Sequence, residues 1–443
     1  MSLYGALFSG VSGMSAFSRA LGGISDNISN VSTTGYKRTG IEFSTQVTGT
    51  NSRNVYNPGG VRSTTRAMIS QQGLLQTSNS NTDLAIQGRG FFVVSSTSET
   101  QGSDVKYTRA GAFNADADGL LRNTANYYLR AWPTDVDGNI TGTGSISDLV
   151  PVQAKSIPGT AVATTEVTIK ANLLNSTADY TGAYAAGDMS DSDVVPPPAN
   201  AVTPDLKSII SVYDKLGGRH DITIAFKKVA DKTWNVEAYV SPQSSVSQAK
   251  GLLTSGQILF NNDGSLDQAG STAALFSEVT ATWVGAPESK FTLNLGRDNA
   301  FDGLTSFAGT KNEVSSSIAD GASYGKFTEL TFSDDGTISA NFENGYSRPI
   351  YKIPLATFLN PDGLIRRNGG VYESSAQESN NPQLLFAKTN ATGSINSSAL
   401  EASNVDLGNE FSNLIVMQRG FEASSKVIMT SNEMLQTLNQ IIR

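Results

Sequence analysis

Seven apolar residues, Leu400, Leu407, Leu414, Phe421, Ile428, Leu435 and Ile442, stand seven positions apart without a miss. Nothing else in the chain restricts its folding as much. A strict seven-residue row marks a helix with a seam for another helix, because about 3.5 residues per turn keeps the row on one side. The second seam position (Asn404, Phe411, Gln418, Ser425, Asn432, Asn439) is mostly polar, while Met417, Val427, Met434, Leu438 and Ile441 add apolar surface beside it. The opening of the chain has the same period: Leu3, Leu7, Gly10, Met14, Phe17, Leu21, Ile24, Ile28 and Val31 alternate steps of four and three. The spacing predicts a terminal coiled-coil domain of two helices, over 1–31 and 400–443. One apolar seam does not offset the entropy of ordering so long a helix, so each seam needs a partner surface. That partner is either the other end of the same chain or a neighbouring molecule, and heptads at both termini favour assembly.

Between the ends the texture changes to Gly, Ser, Thr and Asn with short alternating runs: Ile222, Ile224 and Phe226; Trp234, Val236, Ala238 and Val240; Phe291, Leu293 and Leu295. Asp-Gly pairs begin at 118, 137, 263, 302, 320, 335 and 362, and Asn-Gly pairs at 344 and 368. Such pairs accept the positive φ angles of tight hairpins, which argues for antiparallel meanders. The expected fold class is mainly β with α-helical termini, its antiparallel β domains nested and formed by discontinuous segments. Residues 32–70 read as an irregular basic connecting segment, with Lys37, Arg38, Arg53, Arg62 and Arg66 against Glu42 alone. Segments 71–152 and 326–392 form a flanking β domain. Segment 153–325 is an inserted outer β domain whose loop DSDVVPPPANAVTP is kept extended by three prolines.

Composition removes most chemistry. The chain has no cysteine and one histidine, His220, which excludes disulfides, thiolate sites and two-histidine metal motifs. A net charge of −8 disfavours nucleic acid as a partner. No run of 18 apolar residues is present to insert into a membrane. The start, MSLYGALFSGVSGMSAFSRALGG, lacks the basic n-region of a cleavable secretory signal. Asn114-Ala-Asp116-Ala-Asp118-Gly119 begins like a calcium loop, but its twelfth position is Ala125 rather than Glu. Asp135-Val-Asp137-Gly138 fails in the same way, so both read as hairpin turns. Gly321–Phe327 is one residue short of a phosphate loop and has no Ser or Thr after Lys326. His220 reads as a surface turn residue opening a strand. No catalytic, cofactor or metal residue is assigned, and the chain is expected not to be an enzyme.

Four stretches resemble the axial rod and hook proteins of the bacterial flagellum: NISNVSTTGYKR at 27–38, NTDLAIQGRGFFVV at 81–94, YTRAGAFNADADGLLRNTANYYLRAW at 107–132 and the block 401–443. Their order and distance from the ends match that family, and the inserted middle block is similar to its hook members. The resemblance implies a structural subunit that self-assembles into a curved, hollow helical homopolymer and transmits motor torque as a universal joint. It implies export through the flagellar type III apparatus without a cleaved signal, to an extracellular position in the hook. It implies contacts with the hook cap protein, the distal rod protein and the hook–filament junction protein. Within that tube the terminal helices would line the channel, the 32–70 segment and flanking β domain would form the next shell, and the insert would lie outside. The assembly seams would be the fifteen apolar residues Leu3 to Val31 (Gly10 aside) and Leu400 to Ile442 named above. A second reading stays open on the residues alone: an extracellular carbohydrate-binding or adhesin-like β protein with helical oligomerisation ends, its ligand held by the Thr-, Ser- and Asn-rich insert.

Overall fold

The computed structural model describes residues 3–46, 59–99, 104–155, 157–375, 381–389 and 391–441. Its contacts divide the chain into two compact units. The first joins Met1–Ile157, Glu329–Ala340 and Ser347–Arg443; the second joins Pro158–Thr328 and Asn341–Tyr346. The turn carrying Asn344-Gly345, read from sequence as part of the flanking block, therefore belongs to the second unit, where Asn344 Nδ2 donates to Thr160 O and Ser323 O.

Helix α1 spans Leu3–Ser29 and helix α2 spans Leu407–Ile441. They run antiparallel, since Gly10, Gly13 and Phe17 of α1 meet Ile428, Ser424 and Gly420 of α2 in turn. The heptad row over-extends α2. Leu400 lies in the strand Ala399–Glu401, where it faces Gln76 of the strand Leu75–Thr77. The helix starts later because Asp406 caps it, its Oδ1 accepting the backbone N–H groups of Gly408 at 2.8 Å and Asn409 at 3.2 Å. Val31 likewise falls past the end of α1, in a turn. Gly35 then turns the chain at φ +68°, packed so closely that an added Cβ would stand 2.7 Å from Ala110 N.

The 32–70 segment is not irregular. Thr39–Thr45 and Val61–Ala67 pair antiparallel, from Thr39 opposite Ala67 to Thr45 opposite Val61. Its strands are rich in Ser, Thr and Arg, so the alternation that marks a strand is carried by few apolar residues, Ile41 and Phe43 above all. Phe43 rests on Phe17 of α1, ring centroids 5.7 Å apart. Arg53 of the basic set lies outside the described residues.

Beyond the hairpin the first unit is a sheet of interleaved origin. The strands Ser347–Lys352, Tyr128–Pro133, Phe91–Ser95, Val105–Thr108, Val371–Glu373 and Ile365–Arg367 are neighbours in that order. Phe91, Val93, Tyr107, Trp132, Phe358 and Tyr372 form its core. The second unit is a β-sandwich. One sheet orders Leu206–Tyr213, Arg219–Ala230, Thr233–Val240, Leu252–Phe260 and Leu266–Asp267, all antiparallel. Its alternating residues Ile222, Ile224, Phe226, Trp234, Val236 and Ala238 interlock with Val167, Ile169, Phe291 and Leu293 of the facing sheet. In that second sheet Glu166–Asn172 runs parallel to Ser289–Asn294 and Leu304–Thr305. The triple-proline loop bends rather than running extended: its first residues lie in a 3-10 turn, Ser190–Asp193, and Ala201 N–H bonds Pro198 O. His220 opens its strand but is half-buried, stacked on Trp283 at 3.8 Å with Nε2 2.9 Å from Asp214 Oδ2.

Candidate assembly surface

The most buried line of α1 is made of small residues: Gly10, Gly13, Ala16 and Ala20, followed by Ile24 and Asn27. It lies roughly 75° around the helix from the apolar seam read in the sequence, at about 100° per residue. The absence of side chains brings the helices together. A Cβ on Gly10 would stand 2.9 Å from Ile428 Cγ1, and one on Gly420 would stand 2.8 Å from the Phe17 ring. Of the seam residues on α1, Ile24 is buried, while Leu7, Met14, Phe17, Leu21 and Ile28 are only half-buried; Val31, beyond the helix, is half-buried too. The side chain of Leu3, and Ile442, lie outside the described residues.

On α2 the seam faces α1. Leu414, Phe421, Ile428 and Leu435 are half-buried and Leu407 is 39% exposed; Leu400 is half-buried in its strand. Roughly a third of a turn away, at about 100° per residue, runs a second apolar row that is left exposed among the described residues. Val416, Val427, Met434, Leu438 and Ile441 are between 46% and 75% exposed. At the free end of α1, Tyr4, Phe8 and Val11 are also more than half exposed. The sequence showed four of these α2 residues as surface beside the seam; the structure makes them a stripe of their own.

The opposite end of the helix pair is polar and buried. Asn27, at the last turn of α1, donates from Nδ2 to Thr39 O and to Glu410 Oε2, while its Oδ1 accepts the N–H of Thr39 and the hydroxyl of Tyr36. Glu410, 1% exposed in the first turn of α2, also stands 3.5 Å from Arg38 Nε, an ionic contact rather than a hydrogen bond. Just before α2, the fully buried Glu401 serves two cations. Oε1 accepts Lys37 Nζ at 2.5 Å and the Gly73 N–H at 2.8 Å, and Oε2 accepts Arg109 Nη1 at 3.2 Å. Burial pushes the Lys37 ammonium and the Arg109 guanidinium below their ordinary pKa, against the pull of the Glu401 charge. Burial likewise pushes the Tyr372 phenol up to about 12. Asn404 completes the junction, accepting the Arg38 N–H and donating to Met68 O and Gln71 O.

Sequence reasoning missed this junction. Lys37 and Arg38 stood out as basic, but their carboxylate partners are more than 360 positions away. The acidic turns hold no such role. Asp116 Oδ1 accepts the Leu120 N–H, and Asp135 Oδ1 accepts those of Asp137 and Asn139, so both carboxylates close their own turns. Among the described residues, no three His, Asp or Glu side chains are grouped to hold a metal ion, and no helix is long and apolar enough to cross a membrane.

The polar junction joins residues from the first and last of the four flagellar-like stretches, and comparison with known proteins extends that correspondence along the chain. Family models match residues 7–37 (flagella basal body rod protein), 85–183 (flagellar hook protein FlgE/F/G D1 domain), 189–322 (flagellar basal body protein FlaE D2 domain) and 396–441 (flagellar basal body rod FlgEFG protein C-terminal). The flagellar hook protein FlgE of Caulobacter vibrioides is 30% identical, that of Brucella melitensis 33%, and the whole of each chain is covered in both comparisons. That of Treponema pallidum is 31% identical over 99% of each chain. The crystal structure of Helicobacter pylori flagellar hook protein FlgE2 is 16% identical and covers 74% of this chain and 100% of its own, with a TM-score of 0.48. With full-length relatives at this identity, the chain belongs to the flagellar hook protein FlgE family, as a structural subunit of the hook and not an enzyme.

Proposed function

We propose that copies of this chain stack into a curved, hollow helical tube that carries torque from motor to filament while it bends. The observation that supports this most is the uncovered stripe Val416, Val427, Met434, Leu438 and Ile441 on α2. Contiguous exposed apolar rows mark interaction sites, and the helices of a second copy bring apolar rows of the same kind. Copies related by a screw operation need heterologous contacts that do not close, which is how a filament rather than a ring arises. Of the seam residues, Leu7, Met14, Phe17, Leu21 and Ile28 on α1 and Leu414, Phe421, Ile428 and Leu435 on α2 pack within the chain and offer their remaining surface to neighbours.

The terminal helices line the channel of this tube. Its ends meet the hook cap protein, the distal rod protein and the hook–filament junction protein. Subunits arrive through the flagellar type III export apparatus without a cleaved signal and work outside the cell. Family membership supports these assignments.

Electron micrographs of the purified full chain at rising concentration test the reading. Curved hollow tubes are expected from the parent, and none from a variant carrying Val427→Asp and Met434→Asp whose circular dichroism matches the parent. A parent that stays monomeric throughout, or a variant that polymerises equally well, overturns it.

A further inference from the structure

Asn-Gly makes tight turns, and it also carries a reaction of its own: with no side chain on the following residue, the glycine nitrogen can reach the asparagine carboxamide. Two such pairs stand in the chain, Asn344-Gly345 and Asn368-Gly369, and the fold treats them in opposite ways. Every reacting group of the first is held. Asn344 Nδ2 donates to Thr160 O at 3.3 Å and to Ser323 O at 2.6 Å, its Oδ1 accepts the Tyr346 N–H at 3.0 Å, and the Gly345 N–H donates to Phe342 O at 3.0 Å. The carboxamide is also wedged against Gly325, where an added Cβ would stand 2.6 Å from Asn344 Cγ. None of this holds for the second pair. Asn368-Gly369-Gly370 is the loop between the paired strands Ile365–Arg367 and Val371–Glu373. Asn368 is exposed, and among the described residues neither its carboxamide nor the Gly369 N–H has a hydrogen-bond partner.

We propose that Asn368 is a site of spontaneous deamidation in the folded chain, with water as the co-reactant, and that Asn344 is protected from it. The Gly369 nitrogen gives up its proton and forms a bond to Asn368 Cγ; the Cγ–Nδ2 bond breaks, and Nδ2 leaves as ammonia with that proton. The five-membered succinimide left behind then adds one water. Opening at Cγ gives aspartate, and opening at the Asn368 main-chain carbonyl gives isoaspartate, in which the chain runs on through Cγ. Neither route oxidises or reduces anything. Gly369 and Gly370, at φ +86° and +68°, put no Cβ in the way of the rotation that brings nitrogen and carboxamide together. At Asn344 the same step must first break the hydrogen bonds that hold it, and each adds to the barrier. The product carboxyl is ionised at neutral pH, since an aspartate ordinarily titrates at about 3.9. It falls on the outermost hairpin of the first unit's sheet, next to Arg367, whose guanidinium already serves Glu373. An older chain therefore differs from a new one by a charge at one edge strand and, in the isoaspartate, by a longer backbone. The assignment goes beyond the tube proposed above and does not depend on it.

The purified full-length chain, kept in heavy-oxygen water at mildly alkaline pH, tests it, because only carboxyls formed during the incubation carry the label. Proteolysis and peptide mass mapping follow residues 344 and 368 separately over time. In the folded chain, conversion at 368 is expected to outpace that at 344 by on the order of tenfold or more, with aspartate and isoaspartate both among its products. In the urea-unfolded chain the two rates are expected to converge, because the hydrogen bonds at Asn344 are gone. Asn368→Gln is expected to abolish the labelled product in its peptide and to leave the rate at 344 unchanged. A folded chain in which 344 converts as fast as 368, or in which 368 stays intact while the unfolded chain converts it, overturns the assignment. So does a difference between the two sites that persists undiminished in urea, which would place its cause in the neighbouring sequence rather than in the fold.

Discussion

The sandwich of the second unit and the helix pair of the first use apolar residues in opposite ways. In the sandwich, Ile222, Ile224, Phe226, Trp234, Val236 and Ala238 are all fully buried. On α2, thirty-five residues long, only Glu410 and Ser431 are buried among the described side chains. One region has finished its packing inside a single chain. The other has completed only its polar root and leaves its apolar length open. Burial of apolar area is the main favourable term in folding, so the sandwich carries its own stability, whereas the helices hold theirs in reserve for contact with other surfaces.

The strongest test of that contrast removes the helices. A chain lacking 1–30 and 407–443 is expected to form no tubes in electron micrographs, while the unfolding transition of the sandwich, followed by tryptophan fluorescence, persists. Next comes the sandwich itself. Trp234→Ala is expected to lower its stability by about 3–5 kcal/mol in urea titration, since the side chain is fully buried. At the root, Glu401→Ala strands Lys37 and Arg109 without their carboxylate, and a loss of about 3–5 kcal/mol is expected. Glu401→Gln should lose less, because Gly73 N–H keeps its acceptor.

Acid sharpens the comparison further. Burial opposes ionisation of Asp214 and Asp320, yet their hydrogen bonds outweigh it: from His220 and the N–H groups of Gly218 and Leu216 on Asp214, and from Thr165 and the Glu166 N–H on Asp320. Both carboxyls are held below the ordinary aspartate value of 3.8. The native state then binds protons less readily than the unfolded chain. Their stabilisation is complete above that ordinary value and is lost as pH falls through the depressed one. The melting temperature of the sandwich is therefore expected to fall as the pH drops from about 4 through the depressed values, and Asp214→Asn to remove part of the fall. The smallest effect belongs to the open stripe. Val427→Ala with Met434→Ala should change monomer stability by less than about 1 kcal/mol, and a larger loss in thermal melting would show that the stripe is already covered within one chain.

Helical ends and a strand-rich middle were legible because period and turn chemistry are local signals. The seven-residue row located α2 but extended it too far, since a heptad does not reveal that Leu400 pairs with Gln76 in a strand or that Asp406 caps the helix. The hairpin Thr39–Thr45 with Val61–Ala67 was hidden by its polar composition. On α1, attention to large residues obscured the glycines and alanines that decide where the helices touch. The Glu401 junction was out of reach for a different reason. It gathers Lys37, Gly73 and Arg109 from separate segments, and no spacing along the chain encodes a contact that only the fold creates.

One consequence of the interleaved sheet concerns time. Pro133 pairs with Tyr351, so a loop of roughly 200 residues must close before those two strands meet, at an entropic cost that grows with the logarithm of its length. Within the second unit, however, Thr160–Val162 is zipped to Ala322–Gly325. Once the sandwich has formed, its entry and exit are stapled side by side, and the remaining closure spans only a few dozen residues. Maturation should then run from the inside out: the middle of the polypeptide condenses first and hands its two flanks to each other.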